Sequence, residues 1–98
     1  MSLISFLNDL FKEDGFELVD SNSKKYVIGN PKKEKPIVIK LLDQKLMQKL
    51  LINPDLYFGE AYMDGSLVIQ NGTLTEFLDL AFKNIGRGDI NFYGSVIK

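Results

Sequence analysis

Asn53-Pro54-Asp55-Leu56-Tyr57-Phe58-Gly59-Glu60-Ala61-Tyr62-Met63-Asp64-Gly65, followed by Ser66-Leu67-Val68-Ile69-Gln70, sets a helix directly against a strand. Asn53 is placed to cap the helix, Pro54 takes its first position with φ already fixed, and Asp55 complements the dipole. Gly65 closes it. The mixture within this helix exceeds what core packing needs, because two glycines, three acids and two tyrosines lie among the apolar residues. Gly59 alone costs about 1 kcal/mol against alanine in a helix interior, so a close neighbour is expected there.

Working upstream, Pro54 forces the preceding helix to yield. That helix is expected from an Asp43 cap to about Leu51, with Leu46, Met47 and Leu50 inward and Leu42 stapled onto Met47. Before it, Ile37-Val38-Ile39-Lys40-Leu41 is almost continuously apolar, the signature of a central strand. Phe16-Glu17-Leu18-Val19-Asp20 and Tyr26-Val27-Ile28-Gly29 flank the turn-forming Ser21-Asn22-Ser23 and read as a hairpin. At the start, Leu3, Phe6, Leu7, Leu10 and Phe11 share one helical face from Ser2 to about Glu13, with Gly15 expected to end the helix in a left-handed turn. Its polar face is not basic, which favours the core over a membrane surface.

Downstream, Asn71-Gly72 turns the chain out of the fourth strand. Thr73 and Glu76 form a capping box, and Leu74, Phe77, Leu78, Ala81, Phe82 and Ile85 then recur at helical spacing until Gly86. Beyond Arg87 the periodicity decays. The expected organisation is a single α+β domain over residues 1–86, a small mostly antiparallel sheet of about four strands with the helices on one face. Residues 87–98 are read as a linker or truncated tail leading to an absent catalytic domain.

Composition narrows the chemistry. The chain has 98 residues, 45% hydrophobic and 26% charged, which is within the globular range. A net charge of −1 gives no general field for nucleic acid. Six of its twelve basic residues nevertheless lie between Lys24 and Lys40 against the single acid Glu34. Lys32, Lys33 and Lys35 at the tip of that loop are either a solvated face or a contact for anionic headgroups. With neither cysteine nor histidine, the chain lacks disulfides, Ser–His and Cys–His nucleophiles, and the common zinc and haem ligands. No run reaches the roughly 18–20 apolar residues of a membrane span, and the N-terminus lacks a secretory pattern. A cytoplasmic location, or one peripheral to the inner membrane surface, is expected.

Glu60 and Asp64 stand four residues apart on one helical face, where two carboxylates can hold a hard cation or divide acid and base roles. Two oxygens make a poor metal site by themselves, and no base is fixed beside them. The pair is therefore expected to hold the turn between helix and strand, with Glu60 accepting backbone N–H bonds. Tyr57, Tyr62 and Phe58 either line an apolar pocket or belong to core and interface. Gly86-Arg87-Gly88 lacks the third glycine and the leading strand of a phosphate loop.

Gly59-Glu60-Ala61-Tyr62-Met63-Asp64-Gly65, preceded by Asn53-Pro54-Asp55-Leu56 and followed by a strand, a turn and Leu74-Thr75-Glu76-Phe77-Leu78, resembles the N-terminal domain of cyclopropane-fatty-acyl-phospholipid synthases and related S-adenosylmethionine-dependent methyltransferases. The resemblance covers about residues 16–86 and is most specific over 53–65. It implies a non-catalytic domain that handles membrane phospholipid or positions a Rossmann-like catalytic domain, with Gly59, Glu60, Tyr62, Asp64 and Gly65 at a structural, lipid or domain interface. The fold is also loosely similar to the lipid-binding domains of sterol carrier proteins. Methyl transfer is not implied for residues 1–98, which contain no donor-binding loop and are expected to bind no cofactor; S-adenosylmethionine would belong to the full-length enzyme. The alternative is a free-standing lipid-binding or protein-interaction module.

Overall fold

Side chains alternate across a strand, so every second residue of a short apolar strand can enter a shared layer. In the computed structural model, which describes residues 2–85, the elements follow the order α1 (Leu3–Leu10), β1 (Phe16–Val19), β2 (Lys25–Ile28), β3 (Val38–Leu41), α2 (Leu46–Ile52), α3 (Pro54–Asp64), β4 (Leu67–Asn71) and α4 (Leu74–Ile85). The sheet runs β2-β1-β3-β4. β1 pairs antiparallel with β2 and β3 antiparallel with β4, while β1 and β3 are parallel. The fold is therefore α+β with a mixed, mostly antiparallel sheet, and β3 is central as its apolar run requires.

Register places Phe16 opposite Ile28, Leu18 beside Ile39, and Leu41 opposite Leu67. These residues form the buried face, against which all four helices pack. The other face carries Glu17, Val19, Lys25, Val27, Lys40 and Val68, exposed or half-buried, with Lys25 Nζ 3.2 Å from Glu17. The two outer strands differ in chemistry. β2 opens on Lys25 directly after Lys24, whereas Leu67-Val68-Ile69-Gln70-Asn71 contains no charged residue.

Four phenylalanines join four elements at the centre of the apolar layer. Phe77 of α4 meets Phe16 of β1 edge-on at 5.1 Å, stacks on Phe58 of α3 at 5.2 Å, and lies 6.3 Å from Phe11, just past α1. Phe11 closes the set by meeting Phe16 edge-on at 5.0 Å. Such pairings add to the burial of the rings themselves.

Local signals were executed with differences. Ser2 Oγ accepts the Ser5 N–H, and Thr73 and Glu76 exchange the two bonds of the expected capping box. α1 stops at Leu10, before the expected Glu13, and Gly15 is not in a left-handed conformation. Its role is steric: a Cβ there would lie 1.9 Å from the carbonyl oxygen of Ile28. Asp43 caps a tight turn by accepting the Lys45 N–H, so α2 begins at Leu46 rather than just after Asp43. Leu42, expected as a staple, is 52% exposed. Asn53 ends α2 and begins α3 through its backbone, while its side chain makes no cap bond. Gly65, at φ 88°, closes α3 as expected. The helix end at Gly86, the boundary at residue 86 and the tail 87–98 lie outside the described residues.

Because Phe77 is shared by three ring contacts, its replacement removes more than one side chain's packing. Phe77→Ala is expected to cost about 3–5 kcal/mol in urea unfolding.

Candidate functional site

Three concavities collect the polar and apolar features singled out above. The first is at the signature heptapeptide. A cleft of about 130 Å³ is lined by Asp43, Lys49, Tyr57, Glu60, Asp64 and Ser66, where α2, α3 and the start of β4 converge. Phe58, Gly59 and Ala61 are the buried residues of α3, and Ala61 also forms part of the cleft wall. Gly59 is buried, as a glycine kept inside a helix for packing would be. Gly65 has no atom within 4 Å of a built Cβ, so its requirement is purely conformational.

The two acids of the motif have different roles. Asp64 Oδ1 accepts both the Ser66 N–H at 2.8 Å and the Ser66 hydroxyl at 2.6 Å, holding the chain as it leaves α3. Those two bonds keep the Asp64 carboxyl below its ordinary pKa, since they favour the charged form. Glu60 is exposed and makes no hydrogen bond or ion pair among the described residues. The expected shared anchoring of the turn is thus carried by Asp64 alone. Phe58, Tyr57 and Tyr62 do not form a common pocket: Phe58 is in the core, Tyr57 is half-buried with the Lys49 ammonium 5.7 Å from its ring centre, and Tyr62 is at the surface. Among the described residues no group of three or more His, Cys, Asp or Glu is arranged for a metal ion.

The second concavity, about 50 Å³, is walled only by apolar side chains, including Leu3, Leu7 and Leu10 of α1, Ile39, Phe58 and Phe77. The third, about 230 Å³, runs between α4 and the lysine loop, with Asp14, Lys33, Glu76, Asp79 and Lys83 on its walls. Asp14 is buried beneath it and accepts N–H bonds from Gly15 at 2.7 Å and Lys32 at 3.0 Å, with Lys83 Nζ at 3.7 Å. Burial pushes the Asp14 carboxyl up, but the two N–H bonds and the charges of Lys83 and Lys32 together outweigh it and hold the group below its usual value. Asn84 Oδ1 accepts the N–H groups of Glu13 and Asp14, fastening the end of α4 to the connection between α1 and β1.

The loop's lysines are displayed by backbone anchors. Lys32 N–H is held by Asp14, and Asn71 Nδ2 donates to the carbonyls of Lys35 and Pro36. Lys32, Lys33 and Lys35 are all exposed, and Lys33 Nζ stands 3.6 Å from Glu76. β4 separates this loop from the motif cleft by roughly 15 Å at about 3.3 Å per residue. The two sets of candidate residues are therefore distinct surfaces. Sequence reasoning missed Asp14 and Asn84 because their partnership spans 70 residues. It also passed over the stripe Glu76, Asp79, Leu80, Lys83, whose helical spacing was a usable signal.

Residues 4–96 match the family described as a domain of unknown function, DUF7884. The chain belongs to that family. No curated protein matches it. The DUF7884 match takes in every described element from α1 to α4 and continues past Ile85. No helix among the described residues is long and apolar enough to cross a membrane.

Two outcomes follow from the carboxylates. Asp64→Ala is expected to lower the melting temperature, whereas Glu60→Gln leaves it unchanged; equal losses would return Glu60 to an anchoring role. The folded-state pKa values of Asp14, Asp64 and Glu76 are all lowered, Glu76 mainly by its hydrogen bonds at Thr73. Their contribution is present above the unfolded-state values of about 4 and is lost as pH falls through the lowered ones. Urea midpoints are expected to hold from pH 7 to about 5 and to decline below about pH 4, less steeply in Asp14→Asn.

Proposed function

We propose that this DUF7884 domain is the non-catalytic N-terminal part of a lipid-modifying S-adenosylmethionine-dependent methyltransferase of the cyclopropane-fatty-acyl-phospholipid synthase kind, and that α3 is its docking surface for membrane phospholipid or for the catalytic domain. The supporting observation is the outer side of the motif helix. Met63 is 72% exposed, Leu56 and Tyr62 are also exposed, and Ile52, the last residue of α2, is 79% exposed. α3 thus bears apolar residues outward as well as inward, which a helix at a plain protein–water boundary does not need. The chain has no histidine or cysteine, and among the described residues no glycine-rich loop of the kind that binds the methyl donor follows a strand. Donor binding and methyl transfer are assigned to the catalytic domain.

An acyl chain is a poor occupant of the domain itself. The apolar cavity of about 50 Å³ is under twice the ~30 Å³ share of one liquid water, so a lipid tail would have to displace α1. Its wholly apolar lining is nevertheless the observation that favours the second reading, a free-standing lipid-binding or interaction module. A retained lipid mass in native mass spectrometry would support that alternative; the bare protein mass counts against it.

Reading the source gene past Lys98 tests the first proposal. A strand followed by a glycine-rich donor-binding loop is expected, and a stop codon overturns it. The docking surface has its own test in vesicle flotation: Ile52→Glu with Met63→Glu is expected to abolish binding of the chain to phospholipid vesicles or to the catalytic domain. On anionic vesicles, Lys32, Lys33 and Lys35 together to Glu should weaken binding by about 1 kcal/mol per lysine, and added salt should do the same. Insensitivity to both removes the membrane from the proposal.

A further inference from the structure

The lysine loop is held at its far end by one side chain. Asn71 closes β4, and its Nδ2 donates to the Pro36 carbonyl at 2.7 Å and to that of Lys35 at 3.4 Å. Both acceptors are backbone oxygens, so the latch works only while residue 71 presents N–H donors. A carboxylate of the same shape brings oxygen against oxygen.

Asn71 is also the one asparagine in the chain followed by glycine. An asparagine carboxamide is open to attack by the backbone nitrogen of the next residue, and the approach is easiest where that residue has no side chain. The surroundings set Asn71 apart from the others. Asn30 and Asn53 precede prolines, which have no N–H to give up. Asn8 and Asn84 lie within α1 and α4, where the helical backbone is fixed and both carboxamides are bonded. Asn22 is exposed in the hairpin turn, but the N–H of its successor Ser23 is engaged by the Asp20 carbonyl at 2.9 Å. Gly72 is exposed, sits at φ 98° just past the last paired residue of β4, and no turn or loop bond engages its N–H among the described residues.

We propose that Asn71-Gly72 is a site of spontaneous deamidation, and that its conversion irreversibly unlatches the lysine loop. The Gly72 nitrogen loses its proton to solvent base and bonds to Asn71 Cγ; the Cγ–Nδ2 bond breaks, and Nδ2 leaves as ammonia after taking up a proton. Water then opens the five-membered imide at either carbonyl to give aspartate or isoaspartate, with no change of oxidation state. The bond to Pro36 restrains the leaving nitrogen, so conversion draws on molecules whose loop has momentarily opened. Once converted, residue 71 carries a negative charge and no side-chain donor, and the loop cannot relatch. The isoaspartate product also lengthens the main chain two residues before Thr73, whose capping box starts α4. The modification is independent of the methyltransferase reading.

The test is peptide mapping by mass spectrometry of the folded chain after incubation at mildly alkaline pH. Asn71 is expected to convert first, to isoaspartate and aspartate, with Asn22 slower. Asn71→Gln keeps a carboxamide but must close a larger, slower-forming ring, and it should remain unconverted over the same period. Unlatching is read by brief trypsin digestion under native conditions, where cleavage follows the population of the opened loop. Asn71→Asp is expected to raise cleavage after Lys32 and Lys33 roughly tenfold, as loss of one hydrogen bond together with a new repulsion does. Cleavage after Lys24, in the turn between β1 and β2, should stay unchanged, and the aged wild-type chain should behave as Asn71→Asp does. An Asn71 that stays intact, or converts no faster than Asn22, overturns the site. Unchanged cleavage after Lys32 and Lys33 in Asn71→Asp, or an equal rise after Lys24, overturns the latch.

Discussion

The contact between Phe77 and its three neighbouring rings is the constraint from which the rest of the arrangement follows. Phe11, Phe16 and Phe58 come from the end of α1, the start of β1 and the middle of α3, and Phe77 and Phe58 are both far in sequence from the neighbouring pair Phe11 and Phe16. A domain of this size buries a modest fraction of its surface, so one shared apolar centre must orient every element. With Phe77 fixed, α4 can rotate little about its axis. Its stripe of Glu76, Asp79 and Lys83 is thereby aimed along the cleft, and Phe58 sets which side of α3 faces water.

A polar counterpart secures the edge of that apolar centre. Asp14 and Asn84 satisfy backbone N–H groups of the loop between α1 and β1, where no helix or strand partner exists for them. Gly15 and Gly29 allow the loop and the end of β2 to come together at a distance that excludes a side chain at either position. The buried carboxylate thus serves backbone geometry first, and its ion pair with Lys83 is a consequence of where that geometry leaves its second oxygen.

What could be read from the chain alone was what is encoded within a few residues. The Thr73–Glu76 box, the apolar repeat of α4, the Pro54 start and the Gly65 stop each depend on a local backbone rule, and each stands where expected. The parallel pairing of β1 with β3 was not legible, since short apolar strands carry no mark of their partner. Gly15 was misread because a glycine required for close approach looks the same in sequence as one required for positive φ. Asn53 and Glu60 failed for another reason: a side chain able to accept a hydrogen bond does so only if a donor is within reach, which neighbouring elements decide. The motif's polarity was visible, but its division between an anchoring Asp64 and a solvent-facing Glu60 depended on Ser66 following the glycine.

The unequal chemistry of the outer strands bears on self-association. Lysines beside β2 disfavour addition of another chain there, whereas β4, the other border of the sheet among the described residues, carries no charge to deter it. Among the described residues the two borders are unlike, which disfavours head-to-tail stacking of copies through their sheets. A joining of β4 to β4 about a twofold axis would be closed at two chains, whereas a β4-to-β2 joining, the one able to propagate into a fibre, meets the lysines.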